Sequence, residues 1–223
     1  AANIPHLLPW PQKVAWNGKK FQYRGTFVSL TENFCSIGME QPAGNKITGN
    51  PSSHPALSVK WVEDFPDIPL NRNEAYKLRV TSKGVEIEAI TETGVYRAIQ
   101  TLRQLTEKKG NGIAITGCEI TDWPAFRIRG FMQDVGRTYI STDELKREIA
   151  ILARYKINVF HWHLTENQAW RLQSKVFPML NDSVNTTRQP GKYYTLEEAR
   201  ELAAFCKQHH VLLIPEIDMP GHS

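Results

Sequence analysis

The sequence predicts an α/β chain in two parts, a small α+β layer followed by three βα units of a parallel sheet. Three observations carry that reading. Apolar and polar residues alternate on both sides of Ser82-Lys83-Gly84, which is the period of a half-buried hairpin. A run with helical spacing follows the hairpin. Beyond Trp123-Pro124 the rhythm changes to strand, helix, strand, helix, strand.

Taken in order, the chain opens on Ala1-Ala2-Asn3-Ile4-Pro5, with neither a basic leader nor an apolar one. A start of that kind, without Met, fits a processed, mature terminus or a trimmed chain. Pro, Gly and Asn are dense between 42 and 55 and mark loops. In the hairpin Tyr76, Leu78 and Val80 alternate with Lys77, Arg79 and Thr81, and Val85, Ile87 and Ala89 with Glu86 and Glu88. Thr93 is placed as the cap of the next helix, whose apolar face is Val95, Ala98, Ile99, Leu102 and Leu105, with Gly110 and Gly112 closing it. Ile120-Thr121-Asp122-Trp123-Pro124 reads as a boundary, so the expected domains are 1–122 and 123–223. In the second, Gly130–Val135 is a strand, and Ser141 with Glu144 opens a helix through Leu145, Ile149, Leu152 and Ala153. Ile157–Leu164 is the next strand. Thr195 with Glu198 opens a helix lined by Leu196, Ala199, Leu202, Ala203 and Cys206, and Val211–Ile217 is the third strand. Such a sheet is either open and doubly wound or the start of a closed barrel, and a barrel usually takes about 250 residues, far more than lie between Ile128 and Ser223.

Composition excludes several classes. The 223 residues are 41% hydrophobic and 22% charged, with a net charge of +4. That is ordinary globular chemistry, and the absence of any basic block argues against a nucleic-acid partner. No apolar run approaches the ~18–20 residues of a membrane helix, so no membrane span is expected. Cys35, Cys118 and Cys206 are odd in number, widely spaced and without a CxxC motif, so no disulfide framework is expected.

In either parallel fold the active site lies at the C-terminal ends of the strands. There the sequence collects Asp134 and Arg137 after the first strand, His161-Trp162-His163-Leu164-Thr165-Glu166-Asn167-Gln168 at the second, and Glu216-Ile217-Asp218-Met219-Pro220-Gly221-His222 at the third. Each has a plainer reading. Asp134 and Arg137 pair with each other at a turn, the histidines are buried and bonded to neighbours, and Glu166 is a solvated loop residue. Three loaded tips on one rim make a site the better reading. The last segment is hardest to set aside, because clustered ionisable groups between two prolines are costly unless partnered.

These residues resemble glycoside hydrolase family 20, the β-N-acetylhexosaminidases. Arg129-Gly130-Phe131-Met132-Gln133-Asp134-Val135-Gly136-Arg137 resembles that family's R-G-x-x-x-D-x-x-R, and Asn158 to Gln168 its N-x-x-H-W-H-L-x-D-D-Q. Pro215-Glu216-Ile217-Asp218-Met219-Pro220-Gly221-His222 matches P-E-I-D-M-P-G-H throughout. Tyr194-Thr195 and the Gly94–Leu102 stretch also fit, so the resemblance runs from about Tyr76 to the end. It implies an N-terminal α+β domain and the first three βα units of an incomplete (β/α)8 TIM barrel. Arg137 corresponds to the arginine that grips hydroxyls of the terminal sugar. Glu166 and His222 correspond to a hydrogen-bonded chain that tunes the general acid, and Asp218 to a carboxylate of the same rim. At Glu166-Asn167 the family usually has Asp-Asp, so one negative charge is missing here.

The implied activity is hydrolysis of terminal non-reducing N-acetylglucosamine or N-acetylgalactosamine from glycans. The implied mechanism is retaining and substrate-assisted, needs no metal or cofactor, and uses the sugar's own 2-acetamido oxygen as nucleophile. Its general-acid Glu follows an Asp after two glycines. No Gly-Gly-Asp-Glu occurs in these residues, so that pair is expected outside the chain and the chain alone is expected to be inactive. An exported location (periplasmic, secreted or lysosomal) is the corresponding expectation. Two other readings stay open at this point: a zinc hydrolase using His161 and His163, and a glycan-binding protein that keeps the rim without the acid.

Overall fold

The computed structural model describes residues 5–27, 29–31 and 56–223. Ala1–Ile4, the loop reading over 42–55 and Cys35 lie outside the described residues. The chain divides into two compact units, Ala1–Arg127 and Ile128–Ser223. The division falls after Arg127, where the sequence reading put it after Asp122.

The first unit is a mixed sheet with one helix packed on it. Its strands are β1 (Lys13–Tyr23), β2 (Leu57–Trp61), β3 (Tyr76–Thr81), β4 (Gly84–Ala89), β5 (Thr106–Lys109) and β6 (Gly112–Asp122), and the helix is α1 (Glu92–Gln104). The order is β1-β6-β3-β4-β2, with β5 also paired to β6. Period-two alternation fixes the register. Leu78 stands opposite Ile87 and Ile120, and Val80 opposite Val85 and Cys118, all on the buried face. Val95, Ala98, Ile99 and Leu102 of α1 join these side chains in one core. On the other face, Lys60 meets Glu88 at 2.7 Å and Arg79 meets Glu119 at 3.3 Å, exposed pairs that contribute little to stability. Tyr76 ties the layers together. Its hydroxyl donates to Asp122 Oδ2 (2.9 Å) and lies 2.6 Å from Thr101 Oγ1.

Two details differ from the sequence reading. The cap of α1 is Thr91, whose extended backbone precedes the helix and whose side chain accepts from the Gly94 N–H; Thr93 is already inside the first turn. The glycines at 110 and 112 do not close the helix, which ends at Gln104; the chain passes directly into β5, and Gly110, at φ 57°, makes the β5–β6 turn. Gly112 is needed for a different reason, since a Cβ there would lie 2.2 Å from the Tyr23 carbonyl oxygen.

The second unit is a three-stranded sheet, β7 (Gly130–Asp134), β8 (Val159–His163) and β11 (Leu212–Glu216), with helices α2 (Thr142–Arg154) and α3 (Leu196–Gln208). Both pairings are parallel and the spatial order is β7, β8, β11, the order along the chain. Each helix begins at the capping box expected from sequence, Ser141 with Glu144 and Thr195 with Glu198. Leu145, Ile149 and Ala153 of α2 and Leu202 and Cys206 of α3 are buried, as are Phe160 and Trp162 of the central strand. The outer strands are more open, with Met132 55% and Leu212 61% exposed. Past β8 the chain turns back on itself as a short hairpin, β9 (Thr165–Glu166) against β10 (Ala169–Trp170). Cys118 and Cys206 are free and buried, and burial raises both thiols to about 12, so neither is reactive.

Candidate active site

Parallel pairing sets the site. In the register of β7, β8 and β11, Asp134, His163 and Glu216 fall in one row at the strand ends, directly before the three segments singled out from sequence. The chain then leaves each strand carrying Arg137, Glu166 or His222.

The β9–β10 hairpin decides what Glu166 is. It is not a solvated loop residue: its side chain is 4% exposed, enclosed by the pairing of Glu166 with Ala169 and by the approach of Gly136. A Cβ on Gly136 would sit 2.9 Å from the Glu166 Cβ, so only glycine lets the loop after β7 lie that close. The carboxylate has one oxygen for the backbone and one for the site. Oε1 accepts from the Asn167 N–H at 3.1 Å. Oε2 receives both the Arg137 Nη2 and His222 Nδ1, the latter at 2.8 Å. The Asn167 bond is the main influence holding the carboxyl below its ordinary value; burial works against it, and His222 and Arg137 reinforce it.

Arg137 is bound on two sides. Its own N–H donates to Asp134 Oδ1 (3.1 Å) and its Nη1 to Asp134 Oδ2 (2.5 Å). The turn pairing anticipated for Asp134 and Arg137 is therefore present, and it coexists with the bond to Glu166. Burial pushes the Asp134 carboxyl up, but the hydrogen bonds and charge of Arg137 together hold it below its ordinary value. Half of the Arg137 side chain remains exposed, with guanidinium N–H groups beyond those used. His222 lies 3.4 Å from Arg137 Nη2 and stands on a left-handed residue, φ 58°. A carboxylate can only accept, so the contact of Glu166 Oε2 at Nδ1 suits a ring that donates from that nitrogen.

Asp218 is placed on the same rim by its backbone. Its N–H donates to Thr165 Oγ1 at 3.1 Å, which joins the segment after β11 to the hairpin. Its carboxylate is not part of the Arg137–Glu166–His222 chain.

Sequence reasoning put Glu216 at the rim and gave it no role. In the structure its Oε2 accepts from His161 Nε2 (2.8 Å) and from His163 Nδ1 (2.6 Å). His163 is the main influence that lowers the Glu216 carboxyl. Both histidines are thus committed to a carboxylate, and the described residues hold no group of three His, Cys, Asp or Glu side chains arranged for a metal ion. The signal available was periodicity alone: two histidines on one face of β8 need an acceptor from the neighbouring strand.

Arg171 was missed outright. It is fully buried, and its five N–H donors all reach main-chain carbonyls. A lone charge beside Ala169-Trp170 and before Leu172 was the only hint.

Comparison with known proteins accounts for both units. A β-hexosaminidase of Porphyromonas gingivalis is 40% identical over 197 residues, covering 82% of this chain and 23% of that protein. A β-N-acetylhexosaminidase of Cellulomonas fimi is 36% identical over 171 residues, 75% of this chain and 34% of its own length. The chain thus spans a quarter to a third of these curated relatives. Among solved structures, the family 20 exo-β-N-acetylglucosaminidase of Vibrio harveyi, in complex with N-acetylglucosamine, matches 100% of this chain and 38% of that one, with a TM-score of 0.76 and 30% identity. The Streptomyces plicatus N-acetyl-β-hexosaminidase in complex with Thio-NAglucal gives 0.77 and 28%, over 97% of this chain and 46% of that one. The profile for glycosyl hydrolase family 20, domain 2, matches residues 5–123, and that for the family's catalytic domain matches residues 126–223. The chain belongs to glycosyl hydrolase family 20.

Proposed function

We infer that this chain is part of a β-N-acetylhexosaminidase, an enzyme that removes terminal non-reducing N-acetylglucosamine or N-acetylgalactosamine from glycans. The observation that carries the reading is the Arg137–Glu166–His222 chain, assembled at one rim from three separate strand ends. Sequential parallel order in β7, β8 and β11 supports the companion reading that this sheet is the first part of an eight-stranded barrel.

In this reading Arg137 grips hydroxyls of the terminal sugar with the N–H groups not used by Asp134 and Glu166. The buried Glu166 carboxylate holds His222 in one tautomer, and His222 in turn tunes the general acid. Asp218 contributes a carboxylate to the same rim. Cleavage is retaining: the 2-acetamido oxygen of the substrate attacks the anomeric carbon as the glycosidic oxygen takes a proton and leaves, and water then opens the cyclic intermediate. The proton donor, a Glu, and the Asp that orients the acetamido group lie beyond this chain. The same substrate class places the enzyme in the periplasm, outside the cell or in the lysosome, which fractionation of the producing cell tests.

The functional test is hydrolysis of an aryl N-acetylglucosaminide. The longer protein is expected to turn it over, residues 1–223 alone are not, and Glu166→Gln in the longer protein is expected to be strongly impaired. Turnover by residues 1–223 alone overturns the placement of the acid, and an unimpaired Glu166→Gln overturns the rim assignment.

A further inference from the structure

The largest unexplained investment in the second unit is the Arg171 side chain. Nε donates to the Val135 carbonyl (3.0 Å) and Nη2 to Gly136 (3.2 Å) and Arg188 (2.9 Å). Nη1 donates to Gln189 (3.3 Å) and Lys192 (2.7 Å). All five donors are used, every acceptor is a neutral carbonyl, and no carboxylate among the described residues forms an ion pair with it. Burying a cation in that way is expensive and works against its protonation. Ordinary packing does not call for it, because an apolar side chain of similar volume fills space at lower cost.

What the five bonds hold is informative. Val135 and Gly136 are the two residues before Arg137, and the backbone at Gly136 lies against Thr165 and Glu166. The Arg171 backbone is itself anchored, its N–H donating to the carbonyl of Leu164, between β8 and β9, at 2.9 Å and its carbonyl accepting from the Tyr194 N–H at 2.6 Å. From there it reaches the 188–192 segment, whose Gln189 Oε1 accepts from the Tyr139 N–H at 2.6 Å. The loop that carries Arg137 is therefore held before and after that residue.

We propose that Arg171 is a positioning residue for sugar binding: its guanidinium fixes the Val135–Gly136 backbone on the Thr165–Glu166 hairpin and so sets where Arg137 meets the substrate. The proposal rests on the hexosaminidase reading above. Lysine cannot replace it, having three donors on a single nitrogen where five carbonyls converge in a planar fork.

The experiment is a double-mutant cycle in the longer enzyme, using Arg171→Lys and Arg137→Met, with Arg171→Met as the harsher variant. Arg171→Lys is expected to lower kcat/KM on an aryl N-acetylglucosaminide by about tenfold or more, chiefly through KM. On the Arg137→Met background the same change is expected to cost less than about twofold, because the residue through which it acts is gone. A full multiplicative loss on that background, or kcat/KM within about twofold of wild type for Arg171→Lys, overturns the proposal. Should Arg171→Met fail to fold, the decision rests on the lysine variant. Hydrogen exchange reads the clamp without activity. In Arg171→Lys the amides of Val135–Tyr139 are expected to exchange faster while those of α1 do not change, and unchanged exchange there also overturns it. A wild-type enzyme with no turnover and no N-acetylglucosamine binding defeats the hexosaminidase reading instead, leaving the exchange result to stand for the clamp.

Discussion

Arg137 meets two carboxylates and still presents N–H groups outward, a geometry that depends on a planar, five-donor head group. Arg137→Lys keeps the charge and loses the fork. In the longer enzyme it is expected to lower kcat/KM on an aryl N-acetylglucosaminide by about 100-fold; an unchanged value removes Arg137 from the sugar site. His222→Ala should discriminate between substrates. Its loss is expected to be about tenfold greater with an alkyl or sugar leaving group than with an activated aryl one, since only the former depends on protonation. Equal losses would make His222 structural. The carboxyls of Asp134, Glu166 and Glu216 are all held below their ordinary values of 3.8, 4.5 and 4.5. Each therefore binds a proton less readily in the folded chain than in the unfolded one. Their stabilisation is complete above those ordinary values and disappears as the pH falls through them and below. The urea midpoint of the second unit should drop on acidification from neutrality to pH ~3, and Glu216→Gln should flatten that slope. A midpoint that rises in acid contradicts the assignment.

Elements were legible wherever their signal was local. The hairpin β3–β4 alternates within one stretch of sequence, and both capping boxes of the second unit are four-residue signatures. Thr195→Ala should cost about 0.5–2 kcal/mol, read as the shift in thermal or urea unfolding of the second unit. Gly94 gives a sharper contest. Helix propensity favours alanine there by about 1 kcal/mol, but a Cβ would lie 2.5 Å from the Ala75 carbonyl oxygen. Main chain cannot move aside as a flexible side chain can, so Gly94→Ala should destabilise the first unit; a raised unfolding midpoint would show that the backbone gives way. What was not legible came from distant partners. The β1 strand contains Asn17-Gly18, which reads locally as a turn, yet the structure uses it as an irregularity between Trp16 and Lys20. Gly18 takes φ 71°, and Asn17 Nδ2 donates to the Val80 carbonyl. Its partner strand β6 supplies Gly117, where a Cβ would lie 2.2 Å from Asn17 Oδ1. The strand tips were found because parallel-sheet chemistry concentrates there, whereas Glu216 and Arg171 become intelligible only once their acceptors and donors from other segments are in place.

At the scale of the whole chain the two units differ in how well they cover their apolar surface. The first closes a core between sheet and helix. In the second, Met132 on β7 and Leu212 and Ile214 on β11 remain exposed on the outer strands. Hydrogen exchange on residues 1–223 should accordingly give strong protection over Tyr76–Leu105 and much weaker protection over Gly130–Ile217. Equal protection in a soluble monomer would mean that the second unit is stable without further cover.

The pairing of β1 with β6 has a consequence for how the molecule is made. Lys13 stands opposite Thr121 and Tyr23 opposite Ile113, whereas β3 and β4 pair with each other across a short turn. On a ribosome adding about 5–20 residues each second, the first strand emerges roughly 5–20 s before the last residue it pairs with. Through that interval it is a waiting edge, and its burden of lysines at 13, 19 and 20 is well suited to discouraging the wrong partner. The β3–β4 hairpin can close as soon as it is made, whereas β1 has no partner until β6 has followed it.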